Sequence, residues 1–552
     1  MNTNLPSRLL LAAALATALP APPLLAQPST RSEGGDVRLP SLGESAGDDF
    51  PVGTERRLGE QIMAEVRRDP AYIDDPLLLD HLQSMWLPLV AAARARGNIS
   101  ADLDAAFTWE AFLVRDRSIN AFALPGGYVG VHLGLMAATG TRDELASVLA
   151  HELSHITQRH IARSIASSSR QSLVGMAALL LGVLAASRSS SSDATQAVIV
   201  GSQAAVAQGQ LNFSRDMERE ADRIGWGVHQ GAGFAPQGMA AMFERLENAY
   251  RLTDSGSFPY LRSHPLTVDR IGEARARLDA TPASAARAPL RPTLDHQLMQ
   301  ARARVLMDPA VQSLQRWQAT DASALGGGER LAALYASALA SLELRDVARA
   351  QTTLDAALSS MPKDTLKDSD NARAVFALGA LQAQAWQASG QAPRALAWLE
   401  AQRSPTTGAA GPAARPLMLL RAQAAIDVAR AGGAGAVNTA LRNSTEALQT
   451  WVAEHKIDAT AWSLLAQGAD LLGLKLRSMR ADGEAAAARG DLVGAIDRLR
   501  AAQRQARSGG ASVPDFIEVS IIDARLRDLT AQRRTQLAEA RGDKNPDRER
   551  ER

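Results

Sequence analysis

No cysteine occurs anywhere in the 552 residues. Disulfides, thiolate metal sites and cysteine nucleophiles are excluded with it, and so is a lipid anchor on an N-terminal cysteine. Charge of one sign is missing too, since 60 Lys and Arg stand against 59 Asp and Glu. That balance removes the electrostatic footprint of a nucleic-acid binder. Aromatics are scarce at 4%, whereas apolar residues as a whole reach 46%, the level of a folded globular chain. Alanine supplies much of that share, which points to helices meeting through small side chains. The apolar runs at 9–19 and 172–186 fall short of the ~20 residues that a membrane-spanning helix needs. A chain this long exceeds a single hydrophobic core, so two or three domains are expected.

The pattern at the start has the three-part layout of a secretory signal: Arg8, the apolar run 9–19, then Leu24-Leu25-Ala26. Residues 1–26 are therefore expected to be a cleaved signal and the chain to work in the periplasm, with peripheral membrane contact as an option. Residues 27–50, rich in Ser, Gly, Pro and Asp, read as a flexible lead. A helical pattern over 55–94 gives way to strand-like alternation at 107–114. The turn signal Pro125-Gly126-Gly127 then precedes a strand at 128–131. A helix is predicted from Thr141 to about Ser164, with Thr141 as N-cap and Glu144 completing a capping box. The apolar pair 172–186 and 194–208 reads as a helical hairpin that touches a membrane surface or lies buried as a lid. A helix over 216–230 stops at Gly231 and Gly233, Pro236 opens another, and Ser263-His264-Pro265 leads into a short helix with Arg270.

The rest of the chain is helical and rich in Ala and Leu. Arg345, Gly390 and Gly490 each stand five residues before an alanine (Ala350, Ala395, Ala495), and each alanine stands four before a leucine (Leu354, Leu399, Leu499). Pro362 and Pro405 close two of these units. The phase matches the second helix of tetratricopeptide repeats, where a small residue lets two helices approach. The charged tail at 541–552 is expected to be disordered.

The chemistry-bearing motif is His151-Glu152-Leu153-Ser154-His155. Positions four apart share a helix face, so both imidazoles can meet one ion. Glu152 lies about 100° round the helix from His151, placed to take a proton from a zinc-bound water that attacks a peptide carbonyl. A third ligand is needed. On a continuous helix His160 is rotated about 140° from His155, which assigns it a structural or surface role. Glu218 and Asp222, four apart on a second helix, suit the task better: a carboxylate ligand completes a His₂Glu set, and a second carboxylate can hold a ligating imidazole. Glu220 is the rival, on another face.

The set HELSH, then FSRDMEREADRIG with Glu218 and Asp222, then Ser263-His264-Pro265, resembles the zinc peptidases related to the CAAX prenyl endopeptidase. LPGGYVGVHLGL, HELSHITQRH and GAGFAPQGM, followed by helical repeats, are similar to a periplasmic branch of that family. The resemblance implies one Zn²⁺ per subunit held by His151, His155 and Glu218, with Glu152, Asp222 and His264 as the catalytic set. His264 either stabilises the oxyanion or occupies the fourth zinc position at rest, and Arg270 contacts the site or braces it. The resemblance also implies an edge strand beside the cleft at 128–131. The implied fold is mainly α with a small β-sheet in a zincin-like α+β peptidase domain, followed by a tetratricopeptide-like α-helical repeat domain. The expected bounds are 51–280 for the peptidase, 281–325 for a linker and connecting helix, and 326–540 for the repeats. The implied activity is zinc endopeptidase quality control of misassembled outer-membrane proteins, with help to their assembly. The implied partners are unfolded substrates and the barrel-assembly machinery, the latter docking on the repeats. The other reading is a chaperone or adaptor acting through the repeats, with a latent or silent peptidase half.

Overall fold

Helix dominates, and among the described residues strands are confined to a stretch between Tyr72 and His132. The computed structural model describes residues 50–167, 214–252, 259–281, 290–361, 371–402, 414–432, 436–508 and 513–540. The expected signal, the lead up to residue 49, the apolar pair at 172–208, Pro362, Pro405 and the tail lie outside them. All described residues fall within one unit, Gly43–Arg552. No described helix is long and apolar enough to cross a membrane.

The first half runs α1 (Val52–Val66), β1 (Tyr72–Ile73), α2 (Pro76–Ala95), α3 (Ala101–Ala106), β2 (Glu110–Val114), β3 (Ala121–Leu124), β4 (Tyr128–His132) and α4 (Leu133–Ala138). It continues through α5 (Arg142–Thr157), α6 (His160–Ser167), α7 (Arg215–Gly231), α8 (Gln237–Leu252), α9 (Pro259–Ser263) and α10 (Val268–Asp279). The sheet order is β1-β2-β4-β3, with β2 and β4 parallel and the outer pairs antiparallel. The strand at 128–131 is therefore central, not the expected edge. Gly126 and Gly127, at φ of 81° and 93°, turn the chain tightly enough to fold β3 back onto β4, while β2 takes the other side. The edge beside α5 is β3 instead.

Helix α5 is the core of this half. Every residue from Glu144 to Thr157 is buried, so the helix is covered on all sides. The predicted N-cap holds: Thr141 Oγ1 accepts from the Glu144 amide at 3.2 Å, and the Glu144 carboxylate accepts from the Gly140 amide. The predicted C-terminus does not. Arg159 adopts a left-handed φ of 52° and splits the expected helix into α5 and α6. Its guanidinium donates to Glu55 at 3.0 Å and to the Phe50 carbonyl, contacts that offset the strain of a bulky residue there.

The second half runs α11 (Leu294–Leu306), α12 (Val311–Gln318), α13 (Gly327–Glu343), α14 (Val347–Ser360), α15 (Ala372–Ala388), α16 (Ala392–Ala401), α17 (Ala414–Arg430) and α18 (Ala436–Glu454). It ends with α19 (Ala459–Leu471), α20 (Lys475–Ala488), α21 (Leu492–Ser508) and α22 (Val513–Ala540). Consecutive helices pack as neighbours along this series. Arg345, Gly390 and Gly490 all take positive φ, of 63°, 77° and 80°, which ends one helix and reverses the chain into the next. The alanines and leucines read in phase with them are all fully buried. Gly432 and Gly473 do the same job, at φ of 82° and 75°, in turns that the sequence pattern did not single out.

Buried ion pairs join the halves through α2 and its approach. Arg302 of α11 donates to Asp75 from Nε (2.8 Å) and Nη2 (2.6 Å) and to the Tyr335 hydroxyl at 2.9 Å. Arg415 of α17 bridges Asp74 and Asp458, both at 2.6 Å. Arg373 of α15 reaches Asp80, and His81 meets Asp295 at 2.8 Å. Asp75 also caps α2, accepting from the Leu78 amide at 3.0 Å. Burial alone would raise the Asp75 carboxyl, but Arg302 and the capping amides outweigh it and hold it below its usual value. A carboxyl depressed in the folded state stabilises above its unfolded pKa and loses that contribution as pH falls. Asp75→Asn is thus expected to cost about 3–5 kcal/mol at pH 7, read as a lower urea midpoint. The gap to the parent chain should close as pH drops below about 4.

Candidate metal centre

Three elements converge on one buried point. α5 supplies His151, Glu152 and His155, α7 supplies Glu218 and Asp222, and the segment between α9 and α10 supplies His264. Gly225 allows the first two to meet. A Cβ there would stand 3.1 Å from the Ala150 carbonyl and 3.2 Å from the His151 nitrogen, so the α7 backbone lies directly on the motif helix. Ser214 caps α7, accepting from the Met217 amide at 3.2 Å.

The donor atoms crowd together. His151 Nε2 is 3.0 Å from His155 Nε2 and 3.3 Å from His264 Nδ1. Glu218 lies 3.5 Å from each motif histidine and 3.0 Å from His264. One ligand atom from each of these four residues falls within 4.8 Å of the others. A tetrahedral ion with bonds near 2.0–2.1 Å needs donors roughly 3.3 Å apart, so the set fits a small divalent cation. Charge agrees. Three buried carboxylates, Glu152, Glu218 and Asp222, face one buried guanidinium, Arg270. Both Glu152 oxygens are buried without a hydrogen bond, with His264 Nε2 standing 3.6 Å from Oε1, a costly arrangement unless a ligand completes it.

The surroundings orient these groups. Asp222 Oδ1 stands 2.8 Å from His151 Nδ1, the contact that holds a ligating imidazole with its other nitrogen forward. Arg270 grips Asp222 from Nε (2.6 Å) and Nη2 (2.8 Å), and its Nη1 lies 2.9 Å from Glu218. Arg270 thus touches one residue of the donor set and braces its neighbour. Burial opposes charge on Glu218, yet His264 and His151 hold its carboxyl far below the usual range. Burial likewise opposes charge on Asp222, but Arg270 outweighs it and keeps the carboxyl low. Burial works against protonation of His151 too, and Asp222 with Glu218 overcomes it, pushing the imidazole up to about 10.

His151, Glu152, His155, Glu218, Asp222, His264 and Arg270 all come to this point. Of the two roles expected for His160, burial excludes the surface one and leaves the structural one. The ring is fully buried and its Nδ1 lies 2.9 Å from His155 Nδ1, while its Nε2 lies 3.1 Å from Glu220. The 140° rotation assumed an unbroken helix; the turn at Arg159 brings the ring back under His155. Glu220, the rival ligand, points away from the donor cluster to His160 and Arg163. Burial pushes His160 down to about 4. Tyr260, whose ring stacks on His264 at 4.8 Å, carried no sequence signal.

Residues 83–278 match the sequence profile of Peptidase family M48. The chain is 34% identical over 362 residues to a putative beta-barrel assembly-enhancing protease of Vibrio cholerae, covering 65% of this chain and 69% of that protein. It is 35% identical over 239 residues to the beta-barrel assembly-enhancing protease of Escherichia coli, covering 43% of this chain and 47% of the relative. The match thus spans about half of that relative's length. The mitochondrial metalloendopeptidase OMA1 of Saccharomyces cerevisiae is 28% identical over 195 residues, covering 34% of this chain and 53% of that protein.

Glu218→Gln is expected to abolish tight binding of a divalent metal. Asp222→Asn, which keeps the shape but not the charge behind His151, should weaken it by about 10–100-fold. Competition against a chelator separates the two, and full metal retention by the Glu218 variant would remove it from the donor set.

Proposed function

The chain belongs to peptidase family M48, and from that membership we propose that it is a zinc-dependent endopeptidase of the periplasm, acting on misassembled outer-membrane proteins. The observation that carries the reading is the buried donor cluster with the Glu152 carboxylate, which makes no hydrogen bond, beside it. His151, His155 and Glu218 would hold the zinc, with Asp222 steadying His151. The bound metal would polarise a scissile carbonyl and acidify water. Glu152 would take a proton from the attacking water and pass it to the leaving amine, the work of a general base and then a general acid. The hydrolase unit is assigned to 51–280, the connecting helix to 281–325 and tetratricopeptide-like repeats to 326–540. Stacked helix pairs offer concave surfaces for unfolded chains or assembly machinery. Relatives named for beta-barrel assembly support that choice of substrate. The apolar pair at 172–208 is the segment assigned to peripheral membrane contact.

One observation favours a latent state. His264 Nδ1 stands as a fourth donor, 3.0 Å from Glu218 and 3.3 Å from His151 Nε2, where a substrate oxygen would have to enter. His264 therefore acts as a plug that must move before hydrolysis, and a partner on the repeats is the natural trigger.

Glu152→Gln should keep its zinc and lose casein cleavage by ~10²-fold or more; undiminished cleavage by the pure variant rules out the proposed mechanism. His264→Ala should raise casein cleavage. A fall would assign His264 to oxyanion stabilisation instead, and no change would remove both roles.

A further inference from the structure

We propose that Glu220 and His160 together lock His155 in the tautomer that presents a lone pair to the metal, which makes His160 a positioning residue for the centre. The inference rests on the zinc reading above and deepens it.

The argument is a count of protons along three groups. A carboxylate accepts hydrogen bonds and donates none. The 3.1 Å contact between Glu220 Oε2 and His160 Nε2 therefore puts the proton of His160 on Nε2. A neutral imidazole has one N–H, so His160 Nδ1 carries a lone pair. That lone pair faces His155 Nδ1 at 2.9 Å, and two lone pairs at that distance repel. The proton of His155 accordingly sits on Nδ1, and its Nε2 is left bare, aimed at His151 Nε2 and Glu218. The opposite tautomer would point an N–H into the donor cluster and close it to a cation. Arg163 Nη1, 2.8 Å from Glu220 Oε2, keeps the carboxylate charged and in place. A His155 that ligates through Nε2 must carry its proton on Nδ1, and the 2.9 Å contact is then satisfied only by a lone pair on His160 Nδ1.

The two motif histidines are thus backed differently from one helix. Asp222 reaches His151 directly at 2.8 Å, whereas Glu220 reaches His155 through an intervening ring. The relay exists because Arg159 breaks the helix. With α5 continued through residue 160, the ring would lie about 140° away.

The test uses the full chain and its zinc affinity, measured by competition with a chelator, together with the visible spectrum of the cobalt-substituted protein. His160→Leu keeps bulk and removes the acceptor, whereas His160→Asn offers Oδ1 near the place of Nδ1. His160→Leu should lower zinc affinity by about 10–100-fold and alter the cobalt spectrum, while His160→Asn should stay within about threefold of the parent. Parent-like affinity for His160→Leu overturns the proposal, and so does an equal loss in both variants. Should His160→Leu not fold, Glu220→Ala against Glu220→Gln carries the same contrast, because the amide oxygen of Gln still accepts from Nε2. In that pair the Ala variant is expected to lose affinity and the Gln variant to keep it, and equal behaviour overturns the proposal. A parent chain that binds no zinc would instead sink the metal reading itself.

Discussion

The contact on which the centre depends is the approach of α7 to α5 at Gly225. It brings two carboxylates of one helix against two histidines of another, in an interior where unpaired charge is expensive. Arg270 offsets part of that cost by gripping Asp222 and touching Glu218. The remaining negative charge and the facing imidazole nitrogens leave the site under tension that a divalent ion relieves. That contact buries one side of α5, and α8, α2 and β3 cover the others, so the helix that carries the two histidines and Glu152 is held by neighbours all round.

Much of this was legible in the sequence, because metal chemistry demands fixed spacings. His151 with His155, and Glu218 with Asp222, are both four apart, and helix periodicity says directly that each pair shares a face. The capping box at Thr141 and Glu144 was legible for the same local reason. The position of His160 was not. Reading it required knowing that Arg159 would enter the left-handed region, and the cause lies about a hundred residues upstream, in Glu55 and the Phe50 carbonyl. Nothing local marks an arginine for that conformation, whereas glycine at 390, 432, 473 and 490 does. The order of the strands was also out of reach. Alternation finds a strand but says nothing of which neighbours will pair with it, and the edge position that the resemblance implied for 128–131 gives way to a central one.

The helical half shows how a weak pattern gains meaning from geometry. Ala350, Ala395 and Ala495 are common residues in a chain rich in alanine. Their phase relative to Arg345, Gly390 and Gly490 is informative because a chain reversal must come a fixed distance before a close helix contact. The turn at Arg345 uses a residue that ordinarily avoids positive φ, and the pattern there is carried by spacing rather than residue type.

The acidic start of α2 has one more consequence. Asp74, Asp75 and Asp80 receive arginines from three separate helices of the other half, Arg415, Arg302 and Arg373. Each pairing is buried or nearly so, and a carboxylate left without its arginine there would be costly. The two halves are thus coupled in sequence at three ion pairs. A lineage that exchanged its helical array for a foreign one would have to rewrite three aspartates at the start of α2, so recombination across this boundary carries a penalty of its own.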